Sequence, residues 1–229
     1  VRELHVPVDG GTVELLIEPP HRLPAPAIVF VPSIFGITDE AKRWLHDGAA
    51  RGYLSAVYDP FWRTDPGPLS PVIDAERARA NARRDGTPVE EATADLAAVV
   101  DAVRSHSDCS GRVAVVGYCF GGRYALIAAA TMPVEAAVSY HGILIGQSLD
   151  LAPEIRVPLS MHFGDTDASC PMDEVGAIRA ATAGNALVDI HVYPNCGHSF
   201  TWEGYAKYNA NAAQKSEARA YELLESLKA

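Results

Sequence analysis

The sequence predicts an α/β fold with a mostly parallel central sheet, helices on both faces and an antiparallel hairpin at the N-terminus. Short apolar runs bounded by turn residues recur along the chain, from Ala27–Val31 to Leu187–Tyr193. That is the pattern of strands buried on both faces. Longer stretches with helical spacing and cap signals alternate with these runs, as crossover helices between parallel strands do. The first two strand-like runs, Leu4–Val8 and Val13–Ile17, flank Asp9-Gly10-Gly11. This is hairpin chemistry, because glycine reaches positive φ without strain.

In chain order, Pro7 suits an edge strand, since it donates nothing to a ladder. Ala27–Val31 is the first core strand. Thr38 can cap a helix whose first turn carries Asp39 and Glu40, with Gly52 past its end. Tyr53–Tyr58 is the next strand, and 59–71 is a loop rich in proline and aromatic residues. A helix is expected over 73–84. Thr87-Pro88-Val89-Glu90 then reads as a capping box opening a helix that runs to about Ser105. Strands follow at 112–116, 134–140, 157–163 and 187–193. Helices are expected at 121–131, 171–183 and 208–227. No repeat, low-complexity tract or linker interrupts the pattern, so one domain spanning 1–229 is expected.

The chain has 229 residues, 48% of them hydrophobic, and a formal net charge of -10. An acidic surface repels a phosphate backbone, so nucleic acid is not an expected partner. No apolar stretch is long enough to span a bilayer, and Val1 opens no basic-then-apolar leader. The expectation is a cytoplasmic monomer or small homo-oligomer acting on a small molecule. The cysteines, Cys109, Cys119, Cys170 and Cys196, show no CxxC and no dense framework. They are expected as free thiols. Cys196 and His198 lack a third ligand at metal-binding spacing, so no metal or other cofactor is expected.

The most informative stretch is Val113-Ala114-Val115-Val116-Gly117-Tyr118-Cys119-Phe120-Gly121-Gly122-Arg123. A buried strand meets a helix through Gly-x-Cys-x-Gly, the nucleophile-elbow pattern with cysteine as nucleophile. Cys119 would stand at a helix N-terminus, where the dipole favours a thiolate. The Phe120 N–H would be one oxyanion donor. Loops after the strand signals at 157–163 and 187–193 supply an acid and a base in the chain order of this pattern. Gly164-Asp165-Thr166-Asp167 leads to Pro171, and Asn195-Cys196-Gly197-His198-Ser199-Phe200 follows Tyr193. His198 would be the base and Asp167 its orienting carboxylate, with Asp165 the alternative acid. His141, at a strand's C-terminal end, is a candidate pocket residue, whereas His162 reads as packed within its strand.

Gly117-Tyr118-Cys119-Phe120-Gly121-Gly122, His162-Phe163-Gly164-x-x-Asp167, Gly197-His198-Ser199-Phe200 and Ile34-Phe35-Gly36 together resemble the dienelactone hydrolase family (carboxymethylenebutenolidases). The resemblance runs from Ala27 to the last helix. It implies an α/β-hydrolase fold, a Cys-His-Asp triad without metal, and hydrolysis of a strained conjugated lactone carrying a carboxylate. It also implies the Ile34 N–H as second oxyanion donor. Arg79, with Arg83 one turn further, would hold the substrate carboxylate. Two positions depart from the family. Ser33 stands where a Glu helps switch the cysteine to its thiolate, and Trp202 stands where a second carboxylate-binding Arg is found. With Phe35, Trp202 would make the substrate-binding surface more apolar. The competing reading is a catalytically silent small-molecule binding protein on the same fold. Thiol–disulfide exchange is disfavoured, because Cys119 has no resolving cysteine nearby.

Overall fold

The structure, a computed structural model, describes residues Val1–Ala229. The chain divides into two compact units, Val1–Val113 and Ala114–Ala229. In the first, β1 (Arg2–Val8) and β2 (Gly11–Glu18) form the expected hairpin, with Arg2 opposite Ile17 and Val8 opposite Gly11. Gly10 closes the turn at φ +75. The strand order is β1-β2-β4-β3. β4 (Leu54–Tyr58) pairs antiparallel with β2 and parallel with β3 (Ala25–Val31). Pro7 lies on the outermost of these strands, where its missing N–H interrupts no central ladder.

Helices α1 (Asp39–Ala50), α2 (Asp74–Asp85) and α3 (Val89–Arg104) complete this unit. Thr38 caps α1, its hydroxyl accepting from the Ala41 N–H at 3.4 Å, and Gly52 follows at φ +91. The capping box at 87–90 does not form. Pro88 takes the N-cap position of α3 without a side-chain cap bond. The Thr87 hydroxyl instead donates to the Arg83 carbonyl at 2.6 Å. The end of the preceding helix therefore takes the hydroxyl before α3 begins.

β5 (Cys109–Tyr118) leads into the second unit, whose parallel strands run in the order β5-β6-β7-β8. β6 spans Ala136–Tyr140, β7 Leu159–Gly164 and β8 Val188–Tyr193. The helices are α4 (Phe120–Thr131), α5 (Met172–Ala181) and α6 (Ala210–Leu224). A kinked 3₁₀ segment, Ile145–Glu154, was not anticipated. Ile145, Leu149 and Ala152 have helical spacing, but the segment kinks at Ser148 and Pro153 lies within it. Every residue of β4, β6 and β7 is buried, whereas β1 is largely exposed and β8 mostly half-buried. Continuous apolar runs thus became central strands. Each fully buried Val, Leu or Ile there contributes about 1.5–3 kcal/mol over its exposed state.

Loop 59–71 is ordered by a buried arginine. Arg83 donates from Nε to the Ile34 carbonyl at 2.8 Å and from Nη1 to the carbonyls of Asp65 and Gly67 at 2.7 and 2.9 Å. Its guanidinium lies 4.4 Å from the centre of the Phe61 ring. Asp59 accepts from the N–H groups of Phe61 and Gly67. Burial raises the Asp59 pKa, opposed by those bonds and by the Arg83 charge. Arg83→Met keeps the apolar stem but removes the charge and its carbonyl bonds. It should cost about 3 kcal/mol, read as a fall in the denaturant midpoint at unchanged slope.

Candidate active site

The β5–α4 junction explains the glycine spacing. A Cβ on Gly117 would lie 1.9 Å from the Gly121 carbonyl oxygen, and one on Gly122 would lie 2.4 Å from the Gly142 Cα. Backbone packs against backbone at both places, so no side chain fits. Between them Cys119 adopts φ +55, ψ −111 as the N-cap of α4. A non-glycine residue at positive φ is strained by about 1–3 kcal/mol. The surrounding backbone holds it there. The Cys119 N–H donates to the Tyr140 carbonyl at 3.0 Å, and the Cys119 carbonyl accepts from Gly122 and Ile143 at 2.9 and 3.1 Å. The leading N–H groups of α4 carry the positive end of its dipole to the thiol.

The acid and base loops follow β7 and β8. His198 Nδ1 lies 2.8 Å from Asp167 Oδ2, and Cys119 hydrogen-bonds the same imidazole. The Asp167 side chain is fully buried, and its Oδ1 accepts from the Ser169 N–H at 2.7 Å. Asp165, the alternative acid, does something else. Its Oδ1 accepts from the Cys196 N–H at 3.3 Å, while Thr166 N–H donates to the Cys196 carbonyl at 3.0 Å. Asp165 therefore laces the acid loop to the base loop, and Asp167 is the carboxylate paired with His198. Behind the base loop, Tyr193, Cys196, Phe200 and Ala212 pack as a buried cluster.

Burial of the His198 ring opposes its charge. That effect is outweighed by attraction to Cys119, the hydrogen bonds to Asp167 and Cys119, and the Asp167 charge, and the pKa is pushed up to about 10. The ring thus lies between the Cys119 sulfur and the Asp167 carboxylate, and both favour its charged form.

His141 is fully buried and lies against this pair. Its ring meets that of His198 edge-on, with centroids 5.0 Å apart. Phe120, whose N–H was the expected oxyanion donor, opens α4, and its ring packs on Tyr124. Trp202 stacks on Tyr205, with centroids 5.5 Å apart.

The remaining candidates, Ser33, Ile34, Phe35, Arg79 and Arg83, lie in the first unit. The Ser33 hydroxyl oxygen accepts from the Phe35 N–H at 3.2 Å. Arg83 serves the carbonyls described above. Arg79 is exposed and bidentate on Asp65, at 2.5 and 3.2 Å. His162 is packed as expected, with Nε2 3.1 Å from the Ser160 hydroxyl and Nδ1 3.0 Å from the Tyr193 hydroxyl. None of the four cysteines is in a disulfide. No three His, Cys, Asp or Glu side chains converge as a metal site would require. No helix is long and apolar enough to cross a membrane. Sequence reasoning missed the backbone grip of Tyr140 and Ile143 on Cys119 and the lacing role of Asp165. The position of 140–143 at a strand's C-terminal end was the available signal, because open parallel sheets build their sites there.

Comparison with known proteins follows the same lines. The profile of the dienelactone hydrolase family matches residues 13–227. Carboxymethylenebutenolidase of Pseudomonas putida is 32% identical over 220 residues, covering 94% of this chain and 92% of that protein. The corresponding protein of Pseudomonas sp. strain P51 is 30% identical, covering 96% and 92%. A solved structure from Klebsiella pneumoniae, provisionally assigned as a dienelactone hydrolase, superposes with a TM-score of 0.86 at 26% identity, covering 97% of this chain and 96% of that one. Sharing their fold and matching the family profile over nearly its whole length, this chain is a hydrolase of the α/β-hydrolase fold and belongs to the dienelactone hydrolase family.

Proposed function

We propose that this hydrolase cleaves a small ester or lactone through an acyl-cysteine intermediate, with Cys119 as nucleophile, His198 as acid and base, and Asp167 as the group that orients His198. The observation that carries the reading is the continuous Asp167–His198–Cys119 hydrogen-bond chain at the head of α4.

The Cys119 thiolate attacks the carbonyl carbon, forming a C–S bond as the carbonyl π pair moves to oxygen. The Phe120 N–H receives that oxyanion. Collapse breaks the ester C–O bond, and the leaving oxygen takes the proton from His198 Nε2. In a lactone this oxygen stays tethered to the acyl chain. Acylation uses up the thiolate, and with it both of the Cys119 influences that raised His198. Burial remains and favours the neutral ring. The imidazole thus becomes a base when one is needed, accepting a proton from water as the water oxygen attacks the thioester. The C–S bond breaks, the carboxylic acid leaves, and the thiolate–imidazolium pair is restored.

Cysteine suits activated acyl groups, because a poor leaving group makes the tetrahedral intermediate expel the thiolate instead. The Trp202–Tyr205 stack near the base loop supports a substrate with an apolar face there. Four unbridged thiols fit a reducing compartment. The family match over 13–227 supports both units serving one hydrolase domain. Mass spectrometry of protein quenched during turnover of a dienelactone and an aryl ester tests the proposal. The acyl group should be found on the Cys119 peptide and be released by hydroxylamine. Turnover without a label on that peptide would refute the acyl-cysteine route.

A further inference from the structure

We propose that His141 is a positioning residue for this hydrolase: as a neutral buried ring it holds His198 in line between Asp167 and Cys119. The inference rests on the cysteine–histidine reading above and adds a residue to it.

The geometry lies in one short segment. Tyr140 and Ile143 grip the nucleophile by its backbone, through Tyr140 O to Cys119 N–H at 3.0 Å and Ile143 N–H to Cys119 O at 3.1 Å. The side chain between them faces the base, its ring edge-on to His198 at 5.0 Å. The same four residues therefore set where the sulfur stands and where the imidazole that serves it stands. His141 is itself fixed from several sides. Its N–H donates to the His162 carbonyl at 2.7 Å. Its Nε2 shares a 3.1 Å hydrogen bond with the Thr201 hydroxyl. Phe200 closes one side edge-on at 5.9 Å, and Tyr118 lies at 6.1 Å. The residue takes φ +38, a conformation that costs energy for a side chain with a Cβ. Packing on this scale supports a defined ring position.

The ring must also be uncharged. Its Nδ1 is buried without a hydrogen-bond partner, so a proton there would place unpaired charge in the interior. The titratable groups facing it are His198 after β8, His162 on β7 and Tyr118 on β5, with Cys119 and Asp167 one contact further. Burial, the His198 charge and His162 all lower the His141 pKa, well below the ordinary histidine value. A protonated His141 would repel the His198 imidazolium. As a neutral ring it supports the orientation of His198 without competing for Asp167 or Cys119.

The test uses the whole chain and the variants His141→Ala, His141→Gln and His141→Phe. Circular dichroism verifies folding, kcat and KM are measured on an aryl ester, and iodoacetamide alkylation at the Cys119 peptide is followed against pH. His141→Ala and His141→Gln should lose about 10- to 100-fold in kcat, with KM moving less than about threefold on the same reasoning. Their Cys119 peptide should alkylate more slowly than that of wild type at each pH. His141→Phe, a ring without nitrogens, should recover most of the kcat and the wild-type profile. If His141→Ala does not fold, His141→Gln carries the comparison. The proposal falls if the folded ring-less variant keeps kcat within twofold of wild type, or if His141→Phe is as impaired as His141→Gln. Alkylation separates this failure from failure of the hydrolase reading. It reports the Cys119–His198 pair even in a protein that turns over no ester.

Discussion

Cys119→Ala is expected to lower kcat/KM on a lactone or an aryl ester by at least about 10⁴-fold, since removing one member of such a triad leaves mainly binding and oxyanion stabilisation. The variant should remain folded. Cys119 is buried at the elbow, and its strained backbone is held by the carbonyl and N–H bonds to Tyr140, Gly122 and Ile143, which alanine also makes. Cys119→Ser is the more informative partner. A serine hydroxyl is not a thiolate at working pH, so His198 loses the attraction and charge-assisted bond that Cys119 supplied. Burial then weighs more heavily against the Asp167 interactions, and the His198 pKa falls from about 10. The expected outcome is a weak hydrolase whose rate depends on a neutral base, with residual activity rising with pH where wild type holds a plateau. Activity ratios measured at several pH values check this. A Cys119→Ala protein within tenfold of wild type would remove the nucleophile from the proposal.

Cys119, Asp167 and His198, the proposed triad, could be singled out in the sequence because each sits in a short local pattern that physics constrains. Gly117 and Gly122 are glycines because backbone occupies the space of their side chains, and that requirement is written directly into the sequence. Parallel strands read clearly where burial on both faces demanded an unbroken apolar run, as in Leu54–Tyr58 and Ala136–Tyr140. Other roles depend on contacts between segments far apart in the chain. Arg83 looked like half of an anion clamp on a helix face, because spacing reports which residues share a face and not what lies opposite. The carbonyls of Ile34, Asp65 and Gly67 lie opposite. Asp165 and Asp167 are two residues apart, and only the fold distinguishes the one that laces two loops from the one that meets His198. Thr87 carried the right letters for a cap, but α2 ended close enough to take its hydroxyl.

Asp167→Asn should reduce kcat by about 10³- to 10⁴-fold near neutral pH, and the structure gives a specific reason. Ser169 N–H donates to Asp167 Oδ1 at 2.7 Å while Oδ2 faces His198 Nδ1. An asparagine carries one oxygen, and the Ser169 N–H requires an acceptor. The amide NH₂ is therefore turned toward His198 Nδ1, which must then accept. The neutral imidazole is left with its proton on Nε2, the wrong nitrogen for taking one from water. The His198 pKa should also fall, since the carboxylate charge and hydrogen bond that raised it are gone and burial is unchanged. The stability consequence has a definite sign. A group raised from about 6.5 to about 10 contributes stability that is fully present below pH ~6.5 and is lost as pH rises through ~10. The Tm gap between wild type and Asp167→Asn should therefore be widest at the lower end of that window and narrow above pH ~10. If the gap stays constant across the window while kcat is still lost, Asp167 acts on His198 through hydrogen-bond direction alone, and its charge plays no part in holding the imidazolium.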